Sequence, residues 1–299
     1  MRPVNASSST QNATRQTVEH YENFPVASWL CPPALRPPIA AIYHFARTAD
    51  DIADEGDATA AERLTDLSAF KSDLDAVAAG RTASPRWPQV FTPLAREMAA
   101  FSLPQRLLSD LLSAFVQDVH KTQNGQGYAD RAELLDYCQR SAAPVGRLLL
   151  HLYGVHDAPS LTRSDAICNA LQLINFWQDL SLDLPRGRYY LPEDRCRHHG
   201  IGREALLARD ATLATTAATQ AAARRLIAEQ VQWSRALMQQ GAPLVHTVPG
   251  RAGWELRLVV QGGLRILDKI EAMDFATLEK RPRVGGWDAP LMLARAFRM

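Results

Sequence analysis

Apolar residues recur at three- and four-residue spacings through most of the 299-residue chain, and the alternation of β-branched residues that marks strands is scarce. The pattern predicts an all-α protein. A first helix is expected after Pro32, Pro33, Pro37 and Pro38, because proline is tolerated in a first turn and not later, and it runs to about Glu55 before Gly56. Residues 58–79 form the next, stopped at Ala79-Gly80, and the stretch from Gly80 to Pro88 reads as a loop. A helix then reaches about Phe101, and another opens at Leu103-Pro104 and runs to His120, before a turn at 121–127. One continuous helix is expected over about 131–153. Another covers about 162–182, with Thr162 as N-cap and Asp165 closing a capping box. Pro185, Gly187 and Pro192 break the pattern. Long helices follow at about 209–240 and 251–273, and the Pro/Gly-rich stretch 281–290 leads to a last short helix. No repeat or linker divides the chain, so one domain is expected over 21–299 after a polar, flexible lead-in at 1–20.

Composition narrows the function classes. A hydrophobic content of 46% supports a sizeable core. The 33 Lys and Arg nearly cancel the 32 Asp and Glu, so no overall basic field invites nucleic acid, and functional charge must be local. Cys31, Cys138, Cys168 and Cys196 lie far apart with no CxxC pair, which fits a reduced, cytoplasmic protein rather than a zinc ribbon or a disulfide framework. The N-terminus lacks the apolar stretch of a secretory signal. No apolar run approaches the roughly 18 to 20 residues that span a bilayer, so membrane contact would be peripheral, at the inner membrane face. His198-His199 and the pair His151 and His156 lack zinc-site spacing and read as surface, while Trp233 and Trp254 read as core.

Local charge is concentrated in two stretches. In residues 43–55, Asp50 and Asp54 stand at i and i+4, so both carboxylates project from one helical face, with Tyr43 and Arg47 continuing the row. Acids near a helix end are commonly plain solvated surface, and one such motif decides little. The second stretch, residues 171–183, spaces Gln172, Asn175, Asp179 and Asp183 by three, four and four. Between them lie Leu171, Leu173, Ile174, Phe176, Trp177, Leu180 and Leu182, a setting where unpartnered amides and carboxylates are costly. A buried polar cavity or a structural hydrogen-bond network would explain that stripe.

Two carboxylate pairs on separate helices suit Mg²⁺, which prefers oxygen ligands and binds through one or two carboxylates together with phosphate oxygens and water. A diphosphate bridging both sides would lose its leaving-group charge to the metal, allowing a C–O bond to ionise. Arg47, Arg186 and Arg188 offer guanidinium forks for the phosphate oxygens.

These residues resemble the squalene and phytoene synthase family over about 20–275. The stretches that carry the resemblance are YHFARTADDIADE at 43–55, DYCQRSAAPVG at 136–146 and LQLINFWQDLSLDLPRGRYYLP at 171–192. The resemblance implies an all-α isoprenoid synthase bundle with two aspartate-rich motifs facing a central cavity. It assigns Asp50, Asp54, Asp179 and Asp183 to Mg²⁺, and Arg47, Arg188 and Tyr189 to the diphosphate. Tyr43, Tyr137, Ser141, Gln172 and Asn175 are the candidate catalytic residues.

Within the family, the stretches 22–28 and 141–147 resemble the bacterial hydroxysqualene-forming branch of hopanoid biosynthesis. That likeness implies conversion of presqualene diphosphate and water to hydroxysqualene and diphosphate, with substrate handed over from other enzymes of the pathway. Ser141 stands one turn beyond Tyr137, and the two hydroxyls could orient the quenching water. A helical serine also commonly returns its hydroxyl to the carbonyl four residues back. Two alternatives share the motifs: a head-to-head prenyltransferase making presqualene diphosphate, squalene or phytoene, and a non-catalytic isoprenoid-binding relative. No GxGxxG fingerprint points to NADPH, which is not expected, although squalene-forming members of the family use it without one.

Overall fold

The computed structural model describes residues 31–207 and 217–299, and among these every regular element is helical. The helices are α1 (Arg36–Asp54), α2 (Ala60–Ala78), α3 (Pro88–Phe101), α4 (Gln105–Gln123), α5 (Arg131–Ser141), α6 (Ala143–Leu152) and α7 (Ala158–Gln178). They continue as α8 (Leu180–Asp183), α9 (Glu193–His198), α10 (Arg203–Leu207), α11 (Ala217–Gly241), α12 (Arg251–Ala272) and α13 (Ala289–Ala296). The lead-in at 1–20, the stretch 22–28 and the expected start of the long helix at 209 lie outside the described residues.

Two apolar clusters build the interior. Phe45, Phe70, Phe91 and Trp87 knit α1 to α3 together, with ring centroids of Phe70 and Phe91 4.7 Å apart and those of Phe70 and Trp87 5.0 Å apart. The second cluster joins α5 to α7 with α11 and α12 around the fully buried Trp177, whose indole donates to Ser234 Oγ at 2.7 Å. Ile42, Phe45 and Ala49 face the first cluster, which leaves the acidic row of α1 to face away from it.

Local chemistry sets the boundaries. Thr59 and Glu62 form a reciprocal capping box that starts α2. Arg63 then donates to the carbonyls of Ile52, Glu55 and Gly56, closing the end of α1 beside Asp54.

Four expectations are corrected. The helix expected over 131–153 breaks at Ala142 (φ −124°, ψ −47°), because Pro144 has no N–H to donate and is accepted only in a new first turn. The helix expected from 162 starts a turn earlier, capped by Asp157, which accepts from the Ser160 N–H at 2.9 Å; Thr162 lies inside it and donates to the Ala158 carbonyl. Trp254 is 40% exposed rather than core. Two of the four histidines read as surface are partly buried: His151 bonds the Phe101 carbonyl and His199 bonds Glu229, each at 2.8 Å.

Candidate active site

Tyr43, Arg47, Asp50 and Asp54 recur along α1 at intervals of four, three and four, and all line one cavity of about 360 Å³. Gln172 and Asn175 of α7 line the same cavity, with Asp179 and Asp183 beyond them, as do Tyr137 and Ser141 of α5. Asp179 interrupts the helix between α7 and α8, yet the Asp183 N–H still donates to its carbonyl at 2.9 Å, so the four-residue spacing of the two acids survives the break.

Arg188 joins the two acidic pairs. Its guanidinium donates to Asp54 at 2.9 Å and lies 3.9 Å from Asp183. Arg281 pairs with Asp179 from a distant stretch of chain. Arg47 bonds Asp50 at 3.2 Å and Asp51 at 2.6 Å on its own helix. Arg186 is exposed and outside the lining.

Negative charge is crowded here. Burial, and then the charge of Asp54, push the Asp50 carboxyl up to about 7 against the pull of Arg47. Asp50 keeps 40% of its side-chain surface open while lying in the wall of the cavity. Burial pushes Asp183 up to about 7 and Asp118 up to about 6, each opposed by Arg188. The phenols of Tyr137 and Tyr190 are raised well above their ordinary value by burial and by Asp118, and so remain neutral.

The donor set fits a hard divalent cation carried in with a polyanion. Asp54 Oδ1 is buried with no hydrogen-bond partner, a lone acceptor beside the arginine-bound oxygen. Among the described residues no three Asp, Glu, His or Cys side chains gather closely enough to hold a metal alone. Mg²⁺ needs only one or two carboxylates when phosphate and water complete its shell. Asp50, Asp54, Asp179 and Asp183 could hold it on those terms.

Every residue put forward from sequence for the metal, the diphosphate or catalysis lines the cavity except Arg186 and Tyr189. The Tyr189 ring lies 4.0 Å under the Arg203 guanidinium, while Tyr190, next in the chain, turns inward. Tyr190 donates to Asp118 at 2.9 Å and stacks on Phe176 with centroids 3.8 Å apart and planes 8° from parallel. Tyr190 belongs to the stretch Arg188-Tyr189-Tyr190 that the resemblance matches to the family's flap, whereas Asp118, Phe115 and Arg281 carry no assignment from sequence. Asp118 left a trace, as a lone acid on an α4 face that otherwise reads Leu111, Phe115 and Val119. Ser141 Oγ is buried without a partner, so it does not return to its own helix.

Comparison with known proteins places the chain in one family. The family model for squalene/phytoene synthase matches residues 17–288. A hydroxysqualene synthase of Sinorhizobium fredii is 34% identical over 261 residues, covering 87% of this chain and 82% of the relative. One of Rhodopseudomonas palustris is 34% identical over 255 residues, covering 85% and 80%. The crystal structure of squalene synthase HpnC from Alicyclobacillus acidocaldarius superposes with a TM-score of 0.74 at 34% identity, covering 89% of this chain and 94% of that one.

Proposed function

Because this chain belongs to the squalene/phytoene synthase family, we propose that it ionises presqualene diphosphate with Mg²⁺ and lets water quench the cation, giving hydroxysqualene and diphosphate. The observation that carries the reading is the meeting of two acidic pairs, from α1 and from the end of α7, around one cavity bridged by Arg188.

Mg²⁺, bound with the diphosphate by Asp50, Asp54, Asp179 and Asp183, would neutralise the charge that develops on the leaving group. Arg188 trades its carboxylates for phosphate oxygens, and Arg47 adds a second fork from α1. The C–O bond breaks with its electron pair leaving on the diphosphate. The carbocation left behind faces Tyr137, Phe176 and Tyr190, whose rings offer negative π-faces. The cyclopropylcarbinyl cation rearranges, a ring C–C bond opens as water held by Ser141 and Tyr137 adds to the cationic carbon, and one proton is released.

The two hydroxysqualene synthases, each a third identical over most of their length, support this branch. The squalene synthase neighbour, at the same identity, supports a second reading, head-to-head condensation of prenyl diphosphates. To separate them, the protein is incubated with Mg²⁺ and either presqualene diphosphate or farnesyl diphosphate, with and without NADPH, and the products are identified by mass spectrometry. Hydroxysqualene from presqualene diphosphate alone is expected. Conversion of farnesyl diphosphate to presqualene diphosphate or squalene would move the protein to the condensing branch.

A further inference from the structure

The last helix has almost no polar side. Of its eight residues only Arg295 carries a charge, and that guanidinium folds onto Asp268 of α12 at 2.6 Å. A surface helix normally sets polar residues against solvent. Here the outer side presents Leu291 and Leu293, 39% and 46% exposed, and is flanked by Phe297 at 70% and Trp287 at 98%. Trp254 of α12 meets the Phe297 ring edge-on at 4.9 Å and extends the patch onto the neighbouring helix. Single exposed apolar side chains are ordinary. Five of the seven large ones among the described residues gather at this one face, so it is a surface built to be covered.

Charge says by what. Residues 280–299 hold Lys280, Arg281, Arg283, Arg295 and Arg298 against one acid, Asp288, in a chain whose net charge is only +1. Asp288 is already engaged by Arg265 at 2.7 Å and Lys269 at 2.8 Å. Lys280, Arg283 and Arg298 are exposed, and no ion pair among the described residues engages Arg283 or Arg298. A second copy seated on this face would bring like charges together.

We propose that this face docks on an anionic lipid bilayer, with α13 lying in the plane of the headgroups, Trp287 and Phe297 inserted, and the flanking arginines on lipid phosphates. Interfacial helices bind in this way: apolar area drives insertion, indole rings settle at headgroup depth, and basic residues gain from the negative surface potential. No helix among the described residues is long and apolar enough to cross a membrane. The inference is independent of the proposed reaction, since binding is read without turnover.

The test is co-sedimentation of the full chain with vesicles of phosphatidylcholine alone or mixed with phosphatidylglycerol, at low and high salt. Binding to the anionic vesicles, lost at high salt, is expected. The double variant Trp287→Ser/Phe297→Ser should bind about tenfold more weakly or worse, and Arg283→Glu/Arg298→Glu should lose the preference for anionic lipid. These side chains are exposed, and unchanged thermal melting of each variant confirms that the fold is intact. Absence of vesicle binding, equal binding by the variants, or a wild-type dimer that Trp287→Ser/Phe297→Ser converts to monomer would overturn the proposal.

Discussion

Arg188 reaches across 134 residues of chain to bond Asp54 at 2.9 Å, with 15% and 19% of the two side chains accessible. An unpaired charge at that depth is costly, so the pair pins the segment after α8 against the end of α1. Arg188→Ala should leave Asp54 and Asp183 repelling one another and remove the main guanidinium fork. Turnover is expected to fall about 100-fold or more, on the scale of losing one well-placed donor to a developing anion. Arg188→Lys should recover only part of it, because an ammonium cannot serve both carboxylate pairs in a planar fork. Steady-state kinetics of both variants decide this; full activity in the lysine variant would show that a point charge suffices.

How the site was legible follows from the same geometry. Four-residue spacing puts Asp50 with Asp54, and Asp179 with Asp183, on shared faces wherever a helix forms, and the apolar residues around the second pair left a buried cavity or a hydrogen-bond network as its explanation. Arg281 could not be foreseen, because it meets Asp179 across 102 residues in a stretch that reads as loop. Tyr189 and Tyr190 sit where no helical period states which ring turns inward. Asp118 gained its place only when α4 packed beside α1 and α5.

The crowded carboxylates should make stability depend on pH and, under the proposed metal assignment, on Mg²⁺. Asp50 and Asp183 titrate near 7 in the folded protein, against about 4 in an unfolded chain. Between those values the folded state binds protons that the unfolded chain has released, so stability present below about pH 4 is lost as pH rises through 7. Mg²⁺ with inorganic diphosphate favours the ionised carboxylates and should raise Tm more at pH 8 than at pH 5. Thermal melts across that range, with and without the ligands, are the measurement. The same pH slope in an Asp50→Asn/Asp183→Asn variant would show that other groups carry it.

Close approach of α7 and α11 gives a prediction about the scaffold alone. A Cβ at Gly241 would lie 2.5 Å from Ile167 Cγ1, 2.6 Å from the Arg163 carbonyl oxygen and 2.9 Å from the Ile167 nitrogen. Backbone atoms cannot rotate aside, so Gly241→Ala should cost about 1–3 kcal/mol. Gly262→Ala meets nothing nearer than Met292 Cε at 3.6 Å and should be neutral or slightly stabilising, since alanine is the better helix former. Urea denaturation of the two variants tests the contrast, and equal midpoints would mean that the helices separate at little cost.

Under the proposed reaction, Ser141 is where the fold would bear on the product formed. The break at Ala142, imposed by Pro144, makes Ser141 the last residue of α5, and its hydroxyl lines the cavity buried and without a partner. An unsatisfied buried hydroxyl is costly unless something binds it, and water is a suitable partner in a cavity that Tyr137 also lines. Ser141→Ala should therefore leave diphosphate release within a fewfold of wild type while the share of hydroxysqualene falls and elimination products rise, because ionisation precedes quenching. Ser141→Thr keeps the hydroxyl and should retain more of the alcohol. Product profiles from presqualene diphosphate by mass spectrometry, set beside the rate of diphosphate release, separate the two steps. An unchanged profile in Ser141→Ala would assign the water to another group, and a parallel fall in both readouts would make Ser141 a support for the ionisation step.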